Sequence, residues 1–319
     1  MDERQILDFE KPIFELKKKI SDMKDFAAGA NLELDSEIDS MQTKLNKMRD
    51  EVFSGLTRWQ KVLLARHPRR PYTLDYIENM TTDFIELHGD RYFADDNALV
   101  GGFAKIDGKP VMLIGQQKGR DTKQKLFRNF GMMHPEGYRK ALRLFKLAEK
   151  FNKPIVILID TPGAYPGIGA EERGQAEAIA RNLREMTNLT VPIVITVIGE
   201  GASGGALGIG IGDKIFMLQY SWYSVISPEG CAAILWRDNK FAPEAAEALK
   251  VTASDMWDMK LIDKIIPEPP GGAHNDHKLT AMTMKKEILD AINELEKLST
   301  EELIRRRIDK FRQMGVFKE

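Results

Sequence analysis

Two unbroken apolar runs, Ile155 to Ile159 and Ile193 to Ile198 with one threonine inside, constrain this chain more than any other feature. Each has strand length, each opens after a proline, and each runs into a turn-rich segment followed by a helical pattern. Strands apolar on every residue are buried on both faces, as in parallel sheets covered by helices. Upstream, Leu99 to Ile106 and Val111 to Gln116 flank Asp107-Gly108, a hairpin signal. Pro135 to Lys150 has helical periodicity, with Ala141, Leu144, Phe145 and Ala148 inward. The loop Asp160 to Gly167 opens another helix, with Ala176, Ile179, Ala180, Leu183 and Met186 inward. Lys214 to Leu218 and Tyr223 to Ile226 read as further strands, and Ser227-Pro228 as an N-cap with proline at N1 of a helix through Trp236. The pattern is α/β, and its strand–strand–helix repetition fits a superhelix of such turns.

The flanks differ. Phe9, Ile13, Leu16, Ile20 and Met23 form one heptad-like seam, and Ile38, Met41, Leu45, Met48 and Val52 a second, with Trp59 in phase. Ala27 to Asn31 interrupts them, which predicts an N-terminal helical hairpin over 1–70, ended by His67-Pro68-Arg69-Arg70-Pro71. Residues 71–275 form the α/β domain, and 276–319 C-terminal helices, with a capping-box signal at Ser299 and Glu302.

Composition narrows the function classes. The 319 residues carry 47 Lys+Arg against 48 Asp+Glu, so no global charge favours nucleic acid or an anionic membrane. With 43% hydrophobic and 30% charged residues, the chain has globular composition. No run approaches the roughly 20 apolar residues of a membrane helix, and the start has no secretory pattern, so a soluble cytoplasmic protein is expected. One cysteine, Cys231, makes no internal disulfide and no Cys-rich zinc site; it reads as a buried helix residue. Locally, Lys118 to Lys153 holds eleven basic residues and three acids, a patch that predicts an anionic ligand or partner, or else a solvated helix face through Arg139, Arg143, Lys146 and Lys150.

The stretch Gly199 to Gly212 has seven glycines in fourteen residues directly after a buried strand. It reads as a loop, 199–205, and a small-residue helix, 206–212, whose first amides are aimed at a phosphate or an oxyanion. Gly199-x-Gly201-x-x-Gly204 fits a dinucleotide fingerprint but lacks an acid after the next strand, where Gln219 and Tyr220 stand. Gly201-x-Ser203-x-Gly205 fits a hydrolase elbow, with His274 or His277 as downstream histidines.

Longer strings are more specific. Arg66-His67-Pro68, Arg70 to Asp75, Asp160 to Gly167, Ala170 to Gln175, Ala178 to Met186 and Tyr223 to Cys231 closely resemble the carboxyltransferase alpha subunits of bacterial-type acetyl-CoA carboxylase, over essentially the whole chain. The resemblance implies a crotonase-like ββα superhelix and an α2β2 enzyme served by a biotin carboxyl carrier protein and a separate biotin carboxylase. It implies transfer of a carboxyl from carboxybiotin to acetyl-CoA, giving malonyl-CoA for fatty acid synthesis. Biotin sits on the carrier, and the structural zinc belongs to the beta subunit, so no metal is expected here. The implied donors to the biotin oxyanion are the backbone N–H groups of Gly204 and Gly205, with a second amide at Gly163 or Ala164. Biotin itself takes the acetyl proton in this scheme, so Glu171, Glu172, Glu200 and Glu229 are expected to be structural or positioning. Lys118, Arg120, Lys123 and Arg128 are expected to serve coenzyme A phosphates or the acidic carrier. RNA binding has no aromatic-interleaved signature to support it. A stand-alone acyl-CoA hydratase or isomerase, a serine hydrolase through Ser203, and a non-catalytic binding subunit are the competing readings.

Overall fold

The structure is a computed structural model describing residues 6–30 and 34–315. Two long helices come first, α1 (Lys11–Ala30) and α2 (Asp35–Ser54), and their apolar stripes meet. Ile20 packs with Ile38 and Leu45, while Phe9 meets Phe53 edge-on with ring centres 6.1 Å apart. The expected interruption comes later than the sequence suggests: Ala27 to Ala30 continue α1, because alanine is the strongest helix former. Asn31 lies outside the described residues. Trp59 does not extend the second helix. Gly55 ends α2, and Thr57 caps a separate helix, α3 (Arg58–Ala65), through reciprocal bonds with Gln60.

Next come α4 (Thr73–Met80), β1 (Thr82–Glu86), β2 (Leu99–Ile106) and β3 (Lys109–Gln116). Asp107 and Gly108 both have positive φ, +47° and +80°, the primed turn whose twist matches a tight hairpin. The chain continues through α5 (Thr122–Phe127), α6 (Pro135–Lys150), β4 (Ile155–Thr161), α7 (Ile168–Glu172), α8 (Gln175–Thr187), β5 (Ile193–Ala202) and α9 (Ser203–Leu207). It ends with β6 (Lys214–Leu218), β7 (Trp222–Ser224), α10 (Pro228–Trp236), α11 (Ala242–Leu249), α12 (Ala253–Asp258), β8 (Lys264–Ile266), α13 (His277–Leu295) and α14 (Thr300–Arg312).

The sheet order is β1-β2-β3-β4-β5-β6-β8, antiparallel through β3 and parallel from there on. Strands β4 and β5 are buried at every residue, as their composition requires. Leu144 and Phe145 of α6 and Met186 of α8 cover one face. Tyr76 of α4 with Met284 and Ile288 of α13 cover the other. Strand β5 has two parallel neighbours: residues 194–197 pair with β6 and 200–202 with β7. The pair β6–β7 followed by α10 is therefore a strand–strand–helix unit hung on one long strand.

Three expectations are corrected. The stretch 199–202 is strand rather than loop, and the helix after it starts at Ser203 and lasts five residues. Strand β7 stops at Ser224. On α8, Ile179, Leu183 and Met186 pack inward as expected, but Ala176 and Ala180 face outward, and Ala178 and Asn182 are buried in their place. Asn182 sets that rotation, because its Nδ2 donates to the carbonyls of Tyr138 and Gly208, both at 3.0 Å, and so ties α8 to α6 and to the end of α9.

Helix α14 begins at Ser299, which accepts from Glu302 N, although Glu302 turns its carboxylate to Arg305 and Arg306 instead of closing the box. Arg307 is fully buried, paired with both oxygens of Asp213 at 2.8 Å, and donates to the carbonyls of Met186, Leu189 and Val191. Arg307→Met leaves Asp213 buried without its counter-charge and is expected to cost about 3–5 kcal/mol in urea unfolding. A loss below about 1 kcal/mol would show that α14 is not held by this pair.

Candidate active site

Strands β4 and β5 deliver two turns side by side. A cavity of about 800 Å³ lies above them, lined among others by Gly163, Ala164, Ser203, Gly204 and Val225. Gly205 sits behind that wall against the other turn. A Cβ on it would fall 2.3 Å from the carbonyl carbon of Gly163 and 2.7 Å from the nitrogen of Ala164, so only glycine allows the two turns to touch. Ser203 takes φ +55°, a conformation that costs a non-glycine residue roughly 1–3 kcal/mol and makes the chain turn sharply into α9. The amides of Gly204 and Gly205 belong to the first turn of α9 and have no intrahelical partner.

The second turn is less uniform. Gly163 N–H donates to Thr161 Oγ1 at 3.1 Å, so it is already engaged, whereas Ala164 N–H has no partner among the described residues. A side chain that the sequence did not flag joins the two turns. Gln116, fully buried at the end of β3, donates through Nε2 to the carbonyl of Gly205 at 2.8 Å and accepts through Oε1 from Asp160 N at 3.1 Å. Gln175 likewise fixes the following loop by donating to the carbonyls of Met133 and Tyr165.

Behind the turns runs a chain of charges. Lys118, whose side chain is 12% exposed, lies 2.6 Å from Asp160 Oδ1 and 2.6 Å from Glu200 Oε1. Glu200 Oε2 accepts from Arg66 Nε at 2.6 Å, and Arg66 also holds Glu229. Gly199 leaves room for this arrangement, since a Cβ there would meet Asp160 Oδ1 at 2.5 Å. Burial alone would push Glu200 upward, but Lys118 and Arg66 reverse it and hold its carboxyl below the usual range. Burial also opposes the charge of Lys118, and Asp160 and Glu200 outweigh it, so its pKa is raised. Asp160 is pushed up by burial in spite of Lys118. Glu200 and Glu229 are thus spent on Arg66, while Glu171 lines the cavity.

The basic segment is mostly neutralised within the chain. Lys118 is enclosed as described. Arg120 reaches Asp75 at 2.5 Å and stacks on Tyr72. Arg128 donates to the carbonyl of Asn97. Arg139 pairs with Asp90, Lys140 with Asp95, Lys146 with Glu149 and Glu185, and Arg143 donates to the carbonyls of His88 and Gly89. The helix-face reading fails for Arg139 and Arg143, which pack on the 88–96 loop, and holds for Lys146 and Lys150, which are exposed. Lys123 is exposed and without a partner among the described residues. Lys118 and Arg120 line a separate cavity of about 330 Å³ with Arg66 and Lys125, separated from the first by Pro162, which lines both.

None of the five histidines lines the larger cavity. His274 sits on Glu10 at 3.0 Å, and His277 faces the carbonyl of Arg69 at 2.7 Å. The elbow at Ser203 therefore has no histidine base, which removes the Ser-His-acid triad.

Comparison with known proteins decides among the remaining readings. Residues 6–315 match the family described as acetyl co-enzyme A carboxylase carboxyltransferase-like. The acetyl-coenzyme A carboxylase carboxyl transferase subunit alpha of Geobacter metallireducens is 59% identical, with 98% of each chain covered. The chain belongs to this family. The subunit of the same name from Yersinia pestis is 58% identical over 97% of this chain and 98% of its own. Among solved structures, transcarboxylase 12S matches with a TM-score of 0.58 at 20% identity, covering 72% of this chain and 43% of that one. The beta subunit of Pseudomonas aeruginosa geranyl-CoA carboxylase matches at 0.54 and 18%, covering 78% and 46%. The fold is the crotonase-like one of these carboxyltransferases.

The charge chain yields a pH signature. Glu200, held low, adds stability that is complete above its unfolded pKa of about 4.3 and fades as the pH falls through its folded value. Lys118, held high, adds stability that is complete below about 10.4 and fades as the pH rises through its folded value. Asp160 works the other way, because its burial cost is relieved when it binds a proton on acidification. Lys118→Met should cost about 3–5 kcal/mol at pH 7 in urea unfolding, and less at pH 5 as Asp160 protonates. A loss that is the same at both pH values would contradict this electrostatic assignment.

Proposed function

We propose that this chain is the alpha half of an acetyl-CoA carboxylase carboxyltransferase, passing a carboxyl group from biotin on a carrier protein to acetyl-CoA to form malonyl-CoA. The observation that supports the reading is a cavity lined by Gly204 and Ala164 on two abutting turns, with Gly205 packed directly behind, whose amides have no printed partner among the described residues. They fit a group that needs donors and no protein nucleophile. When bound, biotin supplies a carboxyl on its ureido nitrogen and gathers negative charge on its ureido oxygen as that bond breaks.

The work left to this chain is electrostatic. Amides fixed before the reaction bind an oxygen more tightly as its charge grows, and each such donor is typically worth on the order of 10²–10³ in rate. Gly204 and Gly205 donate from the start of α9, and Ala164 is the second donor in place of Gly163, whose N–H is taken by Thr161. Gln116 holds the two turns in register. The beta subunit supplies the matching donors for the thioester oxygen, in a cytoplasmic α2β2 assembly served by biotin carboxylase and the carrier protein. Exposed apolar residues beside the cavity support a covering partner: Val225, which lines it, is 80% exposed, and Ile168 on α7 is 77% exposed. Lys118 and Arg120 contribute to the ligand side through their cavity at Pro162, while Lys123 and Arg128 belong to the surface offered to the carrier or to coenzyme A.

Ser203 acts only through its backbone in this scheme. Ser203→Ala in the reassembled alpha–beta complex is expected to keep malonyl-CoA formation within about tenfold of the parent, and the chain without its partner is expected to be inactive. A fall of more than about three decades with assembly intact would favour a covalent role for the hydroxyl.

A further inference from the structure

The helical hairpin encloses a second cavity of about 290 Å³ that shares no lining residue with the one at α9. It lies between α1, α2 and the loop 267–275. Its wall has two chemistries. Ile13, Phe14, Leu45 and Phe53 form an apolar side, and Lys17, Arg49 and Arg69 bring three cations to the same space. Among the described residues, Arg49 Nε is buried with no hydrogen-bond partner, and the carboxylate nearest it, on Asp50, is 3.7 Å away. The side chains of Lys17 and Arg69 likewise have no partner among the described residues. A buried, unsatisfied guanidinium N–H costs about 1–3 kcal/mol, and an anionic oxygen would recover it in a charge-assisted bond.

The one acid in the lining among the described residues, Glu10, is already committed. Its Oε1 lies 3.0 Å from His274 Nε2, and its Oε2 lies 3.8 Å from His67 Nε2 and accepts from Leu7 N. These three residues are also near enough to be weighed as metal ligands. The tautomer argues otherwise. His67 Nδ1 accepts from the backbone N–H of Arg69 at 3.1 Å, so the proton of the neutral ring is on Nε2, the atom facing Glu10. His67 therefore donates there and offers no lone pair to a cation. The two imidazoles are also stacked, with centres 3.9 Å apart, rather than splayed around a common point. The buried face of His274, whose Nδ1 has no partner among the described residues, adds a further polar atom in search of one.

We propose that this cavity is a binding site for a small amphiphilic anion, with a carboxylate or phosphate head at Lys17, Arg49 and Arg69 and a medium-length hydrocarbon body against Phe14, Leu45 and Phe53. Its volume is at the low end for small-molecule sites, which suits a single short chain and excludes a nucleotide-sized ligand. The loop that forms one wall is held from within. Glu268 takes both Nη atoms of buried Arg70, the amide of Tyr220 and the amide of Ala273, so the site is organised before any ligand arrives.

The test is calorimetric titration of the full chain with octanoate, octyl phosphate, 1-octanol and inorganic phosphate. At least one of the two amphiphilic anions is expected to saturate a single site per chain, and the tighter of the two identifies the head group. Octanol and inorganic phosphate, each lacking half of the ligand, are expected to bind at least tenfold more weakly. Arg49→Gln should weaken the favoured anion at least tenfold. Lys17→Gln, at an exposed residue, should weaken it severalfold without altering the melting temperature of the free chain, and it keeps the test open if Arg49→Gln fails to fold. Failure of both anions to saturate, equal binding by octanol, or unchanged affinity in these variants would each overturn the proposal.

Discussion

Position 205 admits no side chain, and the rest of the site follows from that contact. Because Gly205 lies directly against the Gly163–Ala164 peptide, the turns after β4 and β5 form one surface instead of two. Two parallel neighbours in a sheet bring their carboxyl ends together as a matter of topology, but topology alone leaves room for side chains between them. Removing the Cβ closes that gap. The sharp turn at Ser203 then brings Gly204, near the start of α9, into the wall of the same cavity as Ala164. Gln116, one strand away, bonds to both turns and resists their separation.

The charges behind the turns serve the same end. A carboxylate placed directly beneath an oxyanion site would oppose the charge that develops there, unless it were compensated. Under the proposed role Asp160 and Glu200, behind the turns, would be such carboxylates, and Lys118 and Arg66 interleave with them at hydrogen-bond distance. The alternation anchors the end of β5 to α3 and to the segment after β3. The cost of gathering so many ions is desolvation, which explains why the pairs are close and multiply bonded.

Much of this was legible in the sequence, and what was not has a common cause. The hairpin at Asp107-Gly108, the helix Pro135–Lys150 and the buried runs of β4 and β5 come from local chemistry: turn residues, periodicity and unbroken apolar composition. The site glycines could be found because a glycine-rich turn after a buried strand has few uses. The partners of charged side chains could not. Lys118 looks like a surface cation in a basic segment, and only its distance to Asp160 and Glu200, 42 and 82 residues later, shows it enclosed. Gln116 is an unremarkable strand-end residue until its two bonds, to residues 44 and 89 positions away, are seen. The outward turn of Ala176 and Ala180 has the same origin, since Asn182 answers to carbonyls on other elements.

In the function proposed above, a main-chain N–H, and no side chain, does the decisive work in this subunit. Replacing the amide of residue 204 by an ester, with glycolic acid in place of glycine, deletes that one hydrogen and leaves shape and side chains alone. In the reassembled complex with its beta partner, kcat for malonyl-CoA formation should drop on the order of 10²–10³, with KM for acetyl-CoA little changed. An ester-bearing subunit that assembles and turns over at the parent rate would contradict the account.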